Sequence, residues 1–384
     1  MPIALIALTL SAFAIGTTEF VTVGLVPTIS NDLLISVPST GLLVTMYAVG
    51  VAIGAPILTA LSSKYNKKAV LIMAMVVFSL GHIVSALSPN FTTLLLARTI
   101  TGLTHGLFFS IGATIATGLV SKEKAASAIA VMFGGLTVAM VLGVPLGTYI
   151  GQEFGWRNTF FIISLLGTIA FISIIFLLPN NIKVTTPDKF FNQMKILANP
   201  KLLIAYLITI FGFGGPFIAF TFLVPILENI TNFKSTIISL ILLAFGAATI
   251  VGNYFGGKFA DKFGVDKVLF AFFAALSLTL LSLSFFAHNQ RITIFILFLW
   301  RIFAFATSPA LQANVVKIAT TNEPHAVDVA SGFNISAFNV GIALWSSVGG
   351  AVVANIGLLQ TTWISAIIVS LSLILITIGY KLQK

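Results

Sequence analysis

PIALIALTLSAFAIGTTEFVTVGLVPTI, residues 2–29, is a long apolar run carrying one charge, Glu19. About 20 such residues are enough for a helix to cross a bilayer. Similar runs recur along the 384 residues, of which 58% are hydrophobic and 8% charged, with a mean hydropathy of +1.09. A water-soluble domain carries about 25% charged residues, so this chain cannot cover a wetted surface. In hydrocarbon every backbone polar group must be satisfied within the protein, and runs of this length do that as helices. Dividing 384 by twelve gives 32 residues, one helix and a short loop. The expected spans are 2–29, 38–61, 68–88, 91–119, 126–150 and 156–178, then 202–227, 235–258, 267–287, 292–319, 327–355 and 360–380. The fold class is an all-α polytopic membrane protein.

A net charge of +10 suggests nucleic acid in a soluble protein, but its distribution here argues against that partner. Lysines gather in alternate loops: Lys64, Lys67 and Lys68; Lys122 and Lys124; Lys183, Lys189, Lys195 and Lys201; Lys258, Lys262 and Lys267; Lys317; Lys381 and Lys384. The intervening loops hold Arg157, Lys234 and Arg291. The positive-inside rule therefore places the rich loops and both termini in the cytoplasm, which requires an even number of spans. Cysteine is absent, excluding disulfides and thiolate chemistry. Ala12-Phe13-Ala14 resembles a signal-peptidase site, but no basic segment precedes it and the apolar run continues, so it reads as an uncleaved first span.

The halves repeat. Gly16 and Leu25-Val26-Pro27 are matched by Gly214 and Leu223-Val224-Pro225, each 198 residues later. TALSSKYNKK (Thr59–Lys68) precedes GKFADKFGVD (Gly257–Asp266) by the same 198, while Arg98 and Arg301 lie 203 apart early in the fourth span of each half. A parallel duplication predicts two pseudo-symmetric six-helix bundles, 1–178 and 202–384, joined by a cytoplasmic linker, 179–201. Such repeats place a substrate site near the bilayer midplane between them. Phe190, Phe191, Met194 and Leu197 share one helical face in the linker, predicting an interfacial helix, with a solvated linker as the alternative.

These features resemble the major facilitator superfamily over the whole chain. GKFADKFG resembles its loop motif after the second and eighth spans, and Arg98 with Gly102 its fourth-span motif. GTTEFVTVGLVP, YAVGVAIGAP (Tyr47–Pro56), RTITGLTHGLFF (Arg98–Phe109), GVPLGTYIGQEFGWR (Gly143–Arg157) and SGFNISAFNVGIAL (Ser331–Leu344) resemble its twelve-span drug:proton antiporter family. Within that family the resemblance is to the bacterial arabinose/sugar and nucleoside efflux branch. It implies a major-facilitator fold, a monomer in the bacterial inner membrane, and export of a small solute against protons by alternating access. The loop motif implies inner-gate charge contacts through Lys64, Asp261 and Lys262. Two departures stand out in the first-half copy, where Ser63 replaces the motif's aspartate and Thr59 its glycine. In the fifth span the usual adjacent Gly-Pro is Gly143-Val144-Pro145.

Glu19 is the one acidic residue of ten well inside an expected span, and its repeat equivalent is Phe217. A mid-span carboxylate costs about 2.5–3.5 kcal/mol on insertion scales, so the group suits a proton carrier whose occupancy changes with access. A structural, hydrogen-bonded acid is the alternative. Arg98, Thr101 and His105 share a helical face by their spacing. His105 is the candidate proton relay, or else a neutral interhelical histidine; Arg98 and Thr101 are cavity residues, or Arg98 a structural charge. His82, His288 and His325 lie near span ends, where they are expected to meet water or headgroups. Gln312, Asn314, Asn334 and Asn339 bring amides into the tenth and eleventh spans, to line a cavity or join helices. Gly143, Gly147 and Gly151 form a small-residue strip containing Pro145, predicting close helix packing with a kink that serves as a gating hinge or as packing alone.

GNYFGGKF (Gly252–Phe259) fails as a phosphate loop because Phe259 replaces the magnesium-binding hydroxyl and a helix precedes it. No metal-ligand spacing or cofactor motif occurs, so a gradient must supply the energy. Partners are then protons, a small-molecule substrate and the bilayer. A proton-coupled importer, a non-transporting receptor or scaffold, and a membrane enzyme are the competing classes; the last lacks clustered catalytic groups beyond Glu19 and His105.

Overall fold

The computed structural model describes residues 2–35, 37–180 and 193–383. Among them twelve helical segments are long and apolar enough to cross a membrane. In the first half the helices are α1 (Ala4–Asp32), α2 (Val37–Ser62), α3 (Lys67–Ala86), α4 (Phe91–Gly118), α5 (Ala125–Val138), α6 (Val144–Glu153) and α7 (Trp156–Leu177). The second half has α8 (Pro200–Ile208), α9 (Phe217–Phe220), α10 (Leu223–Asn229), α11 (Ser235–Phe263), α12 (Val265–Phe286), α13 (Gln290–Asn322), α14 (Val327–Asn355) and α15 (Gln360–Gln383).

Two spans are not single α-helices. The fifth runs from α5 through a π-helical turn, Ala139–Gly143, into α6. Pro145 explains this locally: it has no N–H to continue the α ladder, and the Val144 N–H reaches back five residues to the Ala139 carbonyl. The expected kink is thus a widened turn in a continuous span. The seventh, expected as one helix, is divided into α8, a π-helical turn (Thr209–Phe213), α9 and α10. Gly214-Gly215-Pro216 follows the π turn, and those residues favour interruption. Trp345 Nε1 donates to the Ile210 carbonyl at 2.9 Å, and Ser365 Oγ accepts from the Ala219 N–H at 3.1 Å. These side chains replace ladder bonds that the break removes.

By compactness the chain forms two units. One comprises 1–122, 131–196 and 319–336; the other comprises 123–130, 197–318 and 337–384. In the first, α2 packs on α4 and α3 on α7. Gly143, Gly147 and Gly151 face α1, where a Cβ would meet Thr17, Val21 and Leu25 respectively, the Val21 methyl lying 2.8 Å from one at Gly147. The strip is a close-packing seam between two helix backbones. In the second unit, α12 and α15 pack together and α15 also packs on α8. Most of the expected interfacial helix, with Phe190 and Phe191, lies outside the described residues; Met194 is half-buried and Leu197 exposed.

At one end of the first unit, Arg157 pairs with Asp32 and donates from Nη2 to the Ser88 carbonyl at 3.2 Å. Trp156 Nε1 donates to Asp32 at 3.0 Å. These donors hold the Asp32 carboxyl below its ordinary value of 3.8, hydrogen bonding from Arg157 being the largest cause. Its stabilisation is therefore complete above pH 3.8 and lost as pH falls through the lower folded value. Because Asp32 is exposed, the expected gain is at most about 1 kcal/mol. Thermal unfolding should show Asp32→Asn less stable than the parent at pH 6, with the difference shrinking as the pH is lowered below 3.8.

Candidate functional site

Four helices of the first unit converge on Arg98. It sits in α4 with 0% exposure, although an arginine inside a span is costly unless protein or water receives its charge. The Tyr47 ring from α2 covers its guanidinium at 4.1 Å. Nη1 donates to the Thr18 hydroxyl of α1 at 2.6 Å. Nε and Nη2 are buried with no hydrogen-bond partner. These two nitrogens form one edge of the guanidinium, the edge that matches the two oxygens of a carboxylate. One face and one corner are thus held while a two-donor edge is left open.

Glu19 follows Thr18 on α1, half-buried and within electrostatic reach of Arg98. Among the described residues it forms no ion pair. His105 lies about two helical turns beyond Arg98, 5% exposed, with Nδ1 3.0 Å from the Tyr47 hydroxyl. Thr101 is fully buried, but its hydroxyl turns back to the Arg98 carbonyl at 3.0 Å and its methyl faces Gly81. The site therefore joins Glu19, Arg98 and His105 through Tyr47 and Thr18, two residues not singled out from sequence.

His82 corrects the expectation that it faces water or headgroups. It is 0% exposed, and its Nε2 lies 2.7 Å from the Thr18 hydroxyl. Leu71, Met75, Phe78 and His82 form one buried stripe on α3 at helical spacing. Depth in the span did not reveal that stripe; its periodicity could have. His288 and His325 are exposed, as expected.

Of the amides, Gln312 and Asn314 are buried in the second unit. They are two positions apart on α13, about 200° around the helix, so they face different neighbours. Asn334 is buried in the first unit, and Asn339 is half-buried in the second.

At the lysine-rich loops, Lys67 rather than Lys64 makes the contact. Its Nζ pairs with Asp328 at 2.8 Å, and the same carboxylate accepts from the Thr114 hydroxyl. Asp328 lies in the first turn of α14, where the helix favours an anion. Lys64 stays exposed beside Tyr65, and Ser63 accepts from Gln193 Nε2 at 2.9 Å. In the second unit Asp261 accepts from the Ala126 and Ser127 N–H groups at 2.9 and 3.0 Å, capping α5, while Lys262 lies 5.1 Å from the Phe263 ring centre.

Comparison with known proteins agrees with this architecture. The model of the Major Facilitator Superfamily matches residues 8–323 and 202–383. The chain is 45% identical to YtbD of Bacillus subtilis, named an uncharacterized MFS-type transporter, over 95% of this chain and 92% of that one. It is 38% identical to the inner membrane transport protein YdhP of Escherichia coli K12, over 99% and 96% of the two chains. A protein of Helicobacter pylori named "probable sugar efflux transporter" is 32% identical over 91% and 88%. In fold, the Escherichia coli fucose:proton symporter FucP superposes with a TM-score of 0.80, covering 98% of each chain at 16% identity. The relatives are transporters, not enzymes, and the chain is a multi-pass membrane transporter that belongs to the Major Facilitator Superfamily.

Proposed function

We propose that this transporter exports a small, mixed-polarity solute of the sugar or nucleoside type in exchange for protons, by alternating access, with Glu19 as the proton carrier. The observation that carries this reading is the open Nε–Nη2 edge of a fully buried Arg98 within electrostatic reach of an acid that has no ion pair. Protonated Glu19 is neutral and leaves the edge unclaimed. Ionised Glu19 becomes its natural occupant, so loss of the proton is linked to a change of partner. Solute binding that favours one arrangement then drives proton release, and the reverse. His105 couples to the same centre through Tyr47. Arg98, Gln312, Asn314, Asn334 and Asn339 are the proposed solute contacts, Thr101 being committed to its own helix and to α3, and the relative named for sugar efflux supports the solute class and direction. The inner (plasma) membrane, a monomeric state and cytoplasmic termini belong to this reading; YdhP's name supports the membrane, and the lysine-rich loops support the orientation.

The test is growth of a host lacking its own exporters against toxic sugar analogues, nucleobase analogues, antibiotics and dyes. Protection by the wild-type chain supports export. Sensitisation indicates the alternative, a proton-coupled importer using the same acid.

On this reading the Lys67–Asp328 pair belongs to the inner gate, its acid supplied by α14 where the loop has Ser63. Its side chains are 14% and 13% exposed, so it is partly shielded from water. Asp328→Asn should remove roughly 1 kcal/mol from the closed state, about a fivefold shift in population. In the cysteine-free chain, labelling of Ser110→Cys by an impermeant maleimide from the cytoplasmic side should accelerate by that factor. An unchanged rate would remove the pair from the gate.

A further inference from the structure

His82 is a buried titratable group that the coupling scheme leaves unused. Its hydrogen bonds can be assigned a direction. Nδ1 lies 2.7 Å from the Phe78 carbonyl, which can only accept, so Nδ1 carries the proton and Nε2 of the neutral ring is an acceptor. The Thr18 hydroxyl, 2.7 Å from Nε2, therefore donates its one proton there. Its lone pairs are left for Arg98 Nη1 at 2.6 Å. Other hydroxyls on α1 behave differently: those of Thr9, Ser11, Thr17 and Thr22 each donate to the carbonyl four residues earlier. Thr18 is turned away from that default by its acceptor on α3.

We propose that His82, acting through Thr18, is a positioning residue for Arg98: it fixes the Thr18 hydroxyl as an acceptor and so holds the guanidinium with its Nε–Nη2 edge presented to the Glu19 position. The proposal rests on Glu19 being the proton carrier. Tyr47 constrains the face of the guanidinium and Thr18 its Nη1 corner. Without Nε2, the Thr18 hydroxyl falls back to a carbonyl of its own helix and the corner is released. The charged and titratable groups around this point are Glu19 from α1, Tyr47 from α2, His82 from α3, and Arg98 with His105 from α4.

A test needs no substrate. The chain has no cysteine, so Glu19→Cys installs a single thiol where the carboxylate stands. It is treated with a negatively charged sulfonatoethyl and a positively charged trimethylammonioethyl methanethiosulfonate. The ratio of the two rates cancels access and reports the local potential. Arg98→Gln sets the floor of that ratio. Thr18→Val and His82→Phe should each lower it about fivefold toward the floor. Thr18→Ser and His82→Gln, which keep the donor and the acceptor, should preserve it. His82→Phe retains a ring beside Phe78 and Phe160, whose centres lie 4.3 and 6.0 Å from the imidazole. Thr18→Val tests the same link on another helix, so misfolding of one variant leaves the other decisive. An unchanged ratio in Thr18→Val and His82→Phe would overturn the proposal, as would an unchanged ratio in Arg98→Gln. If the ratio falls as expected but Glu19→Gln still transports against a proton gradient, the positioning stands and the proton-carrier reading fails.

Discussion

Glu19→Gln is expected to lower proton-gradient-driven transport by about two orders of magnitude, the scale set by losing a positioned proton-transfer group. Glutamine keeps the size and polarity of a protonated glutamate but cannot lose a proton. Arg98 then faces a neutral partner throughout the cycle, and the change of partner that links proton to solute disappears. The fold should tolerate the change, because a neutral amide is less costly in the span than a carboxylate. Proteoliposomes separate the steps: solute counterflow, which needs no net proton movement, should persist while accumulation driven by an imposed pH gradient is lost. Loss of both would mark Glu19 as a solute contact instead.

Gly106→Val should abolish the folded protein altogether. A Cβ at Gly106 would lie 2.5 Å from the Val51 carbonyl oxygen and 2.6 Å from the Ala55 nitrogen, both backbone atoms of α2. One turn earlier, a Cβ at Gly102 would strike the Tyr47 carbonyl. Side chains can rotate away from such an intrusion, but a helix backbone has to move as a unit. The expected penalty exceeds about 4 kcal/mol, the range reserved for a named core defect. Fluorescence-detected size-exclusion chromatography after graded heating would show it. Gly118→Ala, with no atom within 4 Å of the added methyl, is the control and should behave as the parent. The same contact bears on function, because the approach of α4 to α2 is what lays Tyr47 over Arg98.

The spans were legible because hydrocarbon imposes a simple demand, length plus apolarity, that composition alone can meet. The seventh span shows where that demand stops discriminating. A π turn and a Gly-Gly-Pro break cost nothing in hydropathy, and pairing Gly16 with Gly214 as repeat copies concealed that α1 continues through the corresponding point. At the site, Glu19 and Arg98 stood out because ionisable residues are rare in a span. Thr18, Tyr47 and His82 did not, since a threonine, a tyrosine and an apparently end-placed histidine are ordinary there. What they do depends on which helix lies opposite, a tertiary fact. The lysine-rich loops show the same limit. The resemblance of the loop to the family motif drew attention to Lys64, while the ion pair joins Lys67 to Asp328, 261 residues away.

The most direct measurement is the proton released when solute binds. Purified wild-type protein in weakly buffered solution near pH 7 would be mixed with a compound it exports, and the pH change recorded. Exchange through Glu19 predicts release of about one proton per chain from wild type and none from Glu19→Gln. Equal release from both proteins would contradict the account.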